Sequence, residues 1–233
     1  MVSVFYSRNF SNKVLPNSAV NHNYCLEANN NIERQEIESI LFRYGFNSEN
    51  INKIINASPD IIKVSKENLL INLNSWLQCQ FGEKQLITLI LRHPNLLFVN
   101  SKRINKLYSF LLSKYTKNYT YKIFFNSPQL LMDSESTIEE KFSYLENEMM
   151  VPKAEIVNST ALGCSLYHIK ERHEILKRVG IYKLPNKKAI DSVNPRLDLI
   201  MSSTDKQFAN KVAGISLLEY EVFQQLFKNE LED

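Results

Sequence analysis

Three prolines at nearly equal intervals constrain this chain more than any other feature. Pro59, Pro94 and Pro128 lie 35 and 34 residues apart, and each precedes, after one residue, a pair of aliphatics: Ile61-Ile62, Leu96-Leu97 and Leu130-Leu131. Counted from each proline, positions +3, +10 and +17 read Ile62, Leu69, Trp76, then Leu97, Ile104, Leu111, then Leu131, Ile138, Leu145. All of these slots are apolar in a chain whose hydrophobic fraction is 44%. A fixed period of this length is the mark of a repeat architecture, in which one supersecondary unit stacks on the next.

The residues between the marked slots say what each unit is. Position +6 is Ser65, Asn100 and Ser134, side chains that accept a hydrogen bond from a free N–H at a helix start. From there +10, +14 and +17 (Leu69/Leu73/Trp76, Ile104/Tyr108/Leu111, Ile138/Phe142/Leu145) form one helical face. Upstream of the prolines, Ile51/Ile54/Ile55, Leu86/Leu89/Ile90 and Thr120/Ile123/Phe124 mark another helix at −8, −5 and −4. Each unit therefore reads as helix, proline-started turn, helix, the proline ending one helix and opening a short turn. With Ser159 in the proline slot, Leu162, Ile169 and Leu176 continue the register as a fourth, irregular copy, with Ser165 at the cap and His173 at +14. Beyond it, a basic connector with Pro185 and Pro195 leads to short helices. There Ser216 and Glu219 form a capping-box pattern, and Tyr220, Phe223 and Phe227 share a face, which reads as a terminal cap.

Composition agrees with helices. Five glycines in 233 residues leave few tight turns for a β-rich fold, and neither GxGxxG nor GxxxxGK[ST] occurs. Cys25, Cys79 and Cys164 are odd in number and widely spaced, which suits neither a disulfide framework nor a metal site. No apolar run approaches the ~18 to 20 residues of a membrane-spanning helix.

The formal net charge is only +3, but it is unevenly placed. From Lys84 to Met132 there is no Asp or Glu, while Lys84, Arg92, Lys102, Arg103, Lys106, Lys114, Lys117 and Lys122 are all basic. A second basic excess runs from Leu162 to Arg196, interrupted by Glu171, Glu174 and Asp191, and acid gathers in the C-terminal segment from Glu219. This segregation is the footprint expected of nucleic-acid binding. The candidate phosphate contacts are Arg92, Lys102, Arg103 and Lys106, followed by Lys170, Arg172, Lys177 and Arg178. Trp76 reads as core because of its slot, and His173 as a partly buried structural residue. His168 and His173 do not share a helix face and make no metal pair. Tyr115, Tyr119 and Tyr121 suit either base stacking or packing. No catalytic constellation stands out and no cofactor is expected; Glu139-Glu140 reads as a solvated first turn.

The Pro-x2-Leu-x6-Leu-x6-Leu spacing resembles the repeat of the mitochondrial transcription termination factor (mTERF) family, and SLYHIKERHEILKRVG (Ser165 to Gly180) is similar to that family's last-repeat sequence. The resemblance implies an all-α fold: an α-solenoid or superhelix of right-handed type, with about four two-helix units and a short helical C-terminal cap. It also implies a monomeric, non-enzymatic protein that binds double-stranded DNA or structured rRNA in the mitochondrial matrix, in transcription termination or regulation. The alternative is a scaffold in ribosome biogenesis that recruits a protein through the acidic C-terminal region. Residues 1–26, with Arg8 and Lys13 and no acid, read as a mitochondrial presequence or a polar tail. Residues 27–180 hold the repeats, and 181–233 the connector and capping helices.

Overall fold

A computed structural model describes residues 33–184 and 194–232. The candidate presequence and the middle of the basic connector, including Pro185, lie outside the described residues. Among the described residues every regular element is helical. Helix α1 (33–43) is followed by α2 (Ser48–Ala57), α3 (Lys66–Gln78), α4 (Glu83–Arg92), α5 (Ser101–Lys114), α6 (Lys117–Asn126), α7 (Glu135–Ser143), α8 (Lys153–Val157), α9 (Leu166–Arg178), α10 (Leu197–Ser202), α11 (Asp205–Gln207) and α12 (Leu217–Glu232).

The proline rule produces the same local geometry three times. A residue before proline is pushed out of the α region. Ser58, His93 and Ser127 accordingly end α2, α4 and α6 with φ of −143°, −134° and −139° and ψ of 76°, 71° and 57°. Each proline then opens a 3-10 turn, Pro59–Lys63, Pro94–Phe98 and Pro128–Met132. Ser65, Asn100 and Ser134 cap the second helices by accepting from the N–H groups of Asn68, Lys102 and Thr137. Ser165 does the same for α9 with His168. In the fourth copy the turn shrinks to Ala161–Gly163, because no proline fixes its start.

The units stack in two layers. First helices pack on first helices (α2 on α4, α4 on α6, α6 on α8), and second helices face second helices (α3 on α5, α7 on α9). The −8, −5 and −4 positions of the three proline-started units and the +10 and +17 positions of all four units are buried, so the expected stripes form the core; in the fourth unit Ile156 and Val157 take the inward places on α8. Two slots deviate. Ile62 is only half-buried and Ile61 takes its place inside, and Tyr108 stays at the core edge, where its hydroxyl donates to Cys79 O at 2.7 Å.

Position +13 holds the units together in a way the apolar pattern does not announce. Asn72 Nδ2 donates to Leu97 O (2.9 Å), Lys141 Nζ to Leu162 O (3.1 Å) and Arg172 Nη1 to Ile200 O (2.5 Å). In each case a side chain of one unit satisfies a carbonyl of the next, in its turn or, for Arg172, in α10, a group that would otherwise be costly to leave unpaired.

The chain after the connector is more than a cap. Counted from Asp198, Met201, Phe208 and Val212 fill +3, +10 and +14 and are buried, and Thr204 caps α11 at +6 through a capping box with Gln207. The register thus continues into α10 and α11, and α12 alone closes the stack. Gly180 ends α9 at φ 76°, where a β-carbon would be strained; Gly180 N and Ile181 N donate to Lys177 O and Leu176 O. Ser216 and Glu219 form the expected reciprocal cap of α12.

Candidate nucleic-acid interface

The two basic stretches have different fates. Arg172 is 1% exposed: besides Ile200 O its guanidinium bonds Asp205 at 2.8 Å and covers the Phe208 ring at 4.5 Å. It cannot reach a phosphate, which corrects its assignment as a contact. Its place at +13 points it inward, and the cost of burying the charge is offset by the carboxylate and the carbonyl. Its neighbour Glu171, also buried, accepts from Tyr220 and, at 2.9 Å, from Gln224, so α9 fastens α12 through charge. Arg178 bonds Glu174 and both carboxylate oxygens of Glu230, which raise its affinity for the proton, and Lys177 pairs with Glu174 at 2.8 Å. Lys170 has no carboxylate partner among the described residues; its ammonium lies 5.7 Å from the Tyr144 ring.

In the acid-free stretch the cations stay at the surface. Lys102, at the start of α5, is exposed and unpaired among the described residues. Arg92 lies over the Phe125 ring at 4.3 Å, with its head on the α4–α6 surface. Arg103 and Lys106 are exposed but engaged: Arg103 donates to Asp133 O at 2.7 Å, and Lys106 pairs with Glu135. The missing acid of this window is supplied by the next unit. Both members of the Lys106–Glu135 pair are about two-thirds exposed, so the pair contributes little and can yield to another anion.

Spacing alone had another set to offer. Lys84 shares a face with Arg92 on α4, and α6 carries Lys117 and Lys122 with no acid at all. Lys84 and Lys117 are exposed, and Lys122 donates to Asn158 at 3.0 Å. The two helices join edge to edge, Tyr121 OH reaching Gln85 O and Arg92 reaching Phe125. On α8, Lys153 reaches Lys114 O at 3.3 Å, bringing a cation from outside the window beside those of α5. The unbroken absence of acid from Lys84 through the end of α6 was the available signal.

The other candidates resolve as structure. Trp76 is buried, its indole N–H donating to Leu96 O at 3.1 Å. Tyr115 is buried and bonds Glu146, Tyr119 packs 6.5 Å from it, and Tyr121 packs against Phe81 and Phe125. None is a free stacking platform. His173 is buried between the rings of Tyr144 and Tyr182, with Nδ1 2.9 Å from the Tyr144 hydroxyl and Nε2 unpartnered. Burial, aided by Lys177 and opposed by Glu174, pushes its pKa down to about 4, so the ring is neutral. Among the described residues no cluster of His, Cys, Asp and Glu is arranged to hold a metal, and no helix is long and apolar enough to cross a membrane.

Comparison with known proteins agrees with this architecture. Over 197 residues, 83% of this chain, the sequence is 26% identical to the mouse (Mus musculus) protein named transcription termination factor 4, mitochondrial. Over 137 residues it is 28% identical to transcription termination factor 3, mitochondrial, of Drosophila melanogaster. The matches span 57% and 37% of those proteins, so the chain corresponds to part of their length. The family model for mTERF matches residues 1–209, covering every proline-punctuated unit and the start of the continued register. The repeated turn, the capped second helices and that match together place the chain in the mTERF family.

Proposed function

We propose that this chain is a non-enzymatic nucleic-acid-binding solenoid acting in mitochondrial gene expression, in transcription termination or regulation, with duplex DNA or folded RNA as its ligand. The observation that carries the reading is the set of exposed cations on α4, α5 and α6, Lys84, Lys102 and Lys117 foremost, that have no carboxylate partner among the described residues. Phosphate neutralisation by such side chains releases counterions and makes affinity fall with salt. The printed names of the mouse and fly relatives support the cellular setting and the class of process.

The test is the slope of log K against log salt for a duplex and for a folded rRNA fragment. Lys84, Lys102 and Lys117 changed together to Glu lower the affinity at least a hundredfold and reduce the slope by about three, while the helical CD spectrum persists. This variant is cleaner than reversing Arg103 and Lys106, which would also set like charges against Glu135. An unchanged slope refutes the assignment.

One observation favours a scaffold as the second reading. Leu218, Val222 and Leu226, spaced i, i+4, i+8 on the outer face of α12, are 69%, 53% and 54% exposed and are flanked by Glu219 and Glu221. An apolar stripe rimmed by acid suits a partner protein with a basic-edged apolar groove. A salt slope near zero, with co-purification of a partner lost in Leu226→Glu, would favour it.

A further inference from the structure

The joints between units are not built alike. Between the first and second units, Asn72 (+13) and Trp76 (+17) both donate into the turn of the next unit, at Leu97 O and Leu96 O, and α3 packs directly on α5. The joints that follow the third and fourth units keep the +13 donor, as Lys141 and Arg172. The joint between the second and third units has neither donor, because the same slots hold Leu107 and Leu111. There α5 meets the Pro128–Met132 turn, and a groove of about 380 Å³ separates it from α7, floored by Leu107, Phe110 and Ile138. Besides the inner contacts of Phe110 and Tyr115 with the Phe142 ring (5.8 and 5.5 Å) and of the Tyr115 hydroxyl with Glu146, two polar contacts bridge the rims, Lys106 with Glu135 and Arg103 with Asp133 O. Both are exposed, and both use cations from the acid-free stretch.

We propose that this joint is the hinge of the solenoid, latched in the free protein by Arg103 and Lys106, and that a polyanion drawing these two cations off α7 releases the latch and lets the curvature change. The physical grounds are these. A void forfeits the contacts its lining atoms would otherwise make, and this joint has no buried donor to make up for them, as Asn72 and Trp76 do at the joint before it. An exposed ion pair contributes about 0–1 kcal/mol and yields to a competing phosphate. A soft joint whose latch residues are themselves phosphate ligands couples binding to shape, because the ligand interacts differently with the latched and released forms. The softness of the joint stands on the packing alone, whereas the release by polyanion rests on the nucleic-acid reading.

The experiment measures spin-label distance distributions in the full chain, with labels attached through an unnatural ketone side chain so that the cysteines are untouched. Ser109 and Glu140 span the proposed hinge, and Asn68 and Asn105 span the preceding joint. In the free protein the Ser109–Glu140 distribution is the broader, and Leu107→Asn, which restores the donor found at Asn72, narrows it. If that variant does not fold, Lys106→Gln with Glu135→Gln broadens the same distribution further. Inorganic polyphosphate and a DNA duplex, added separately, shift the Ser109–Glu140 distance and leave the control pair in place. Equal widths at the two joints, or a width indifferent to the substitutions, overturn the hinge. A bound polyanion that moves neither pair overturns the release. If neither polyanion binds, as judged by mobility shift, the nucleic-acid reading and the release fall together, while the widths in the free protein still decide the hinge.

Discussion

The stretches 84–132 and 162–178 look alike as strings, each rich in Lys and Arg, yet one presents its cations to solvent and the other turns them into structure. On α4, α5 and α6 the basic side chains rest on aromatic rings, reach carbonyls, stand free or, in Lys106, meet a carboxylate in a largely exposed pair. On α9 Arg172 is the staple to the next unit, and Lys177 and Arg178 are tied to Glu174 and Glu230. Net charge in a segment is therefore not surface charge. Carboxylates at i−3 and i−4, or on a helix packed alongside, decide whether a lysine or arginine is available to a ligand.

The largest expected effect tests the structural half of this contrast. Arg172→Ala strips the Ile200 carbonyl of its buried donor and leaves a hole beside Phe208, and it should lower the unfolding free energy by about 3 kcal/mol, read as the shift of the urea midpoint. A variant of wild-type stability would erase the distinction between α9 and α5. Next comes pH. In the unfolded chain the imidazole of His173 takes up its proton near 6.5, and in the folded protein only near 4. The unfolded state thus binds protons first as pH falls, so this contribution is complete above about 6.5 and is lost progressively down to about 4, amounting to about 3 kcal/mol at most. His173→Leu should flatten that part of the stability profile, and an unchanged profile would show that the ring is not held neutral. The smallest effect belongs to Arg178→Gln. Its pairs with Glu174 and Glu230 are partly exposed, so stability should fall by no more than about 1 kcal/mol, with no change in the salt slope of binding. A steep loss of affinity there would return α9 to the interface.

The repeat itself was open to reading because it rests on local rules. Proline ends one helix and starts the turn, a Ser or Asn six residues on caps the next helix, and apolar residues at +10 and +17 must face inward in any stacked hairpin. The buried role of Trp76 followed from its slot for the same reason. The inter-unit donors were not legible: Asn72, Lys141 and Arg172 are polar residues in an otherwise apolar neighbourhood, and each looks like surface until the carbonyl of the next unit comes within reach. Nor did the spacing disclose that Met201, Phe208 and Val212 carry the register past the connector, since no proline marks that turn.

What the sequence determined by itself is the unit and its stacking, since helix termination, capping and the burial of a hydrophobic face depend on residues close together in the chain. Only the tertiary structure decided which cations remain free. A charge is neutralised by whatever lies within a few ångströms of it, and on this solenoid those neighbours come not only from the same helix, as Glu174 does for Lys177, but from the following unit, as Glu135 does for Lys106, or from the closing helix, as Glu230 does for Arg178.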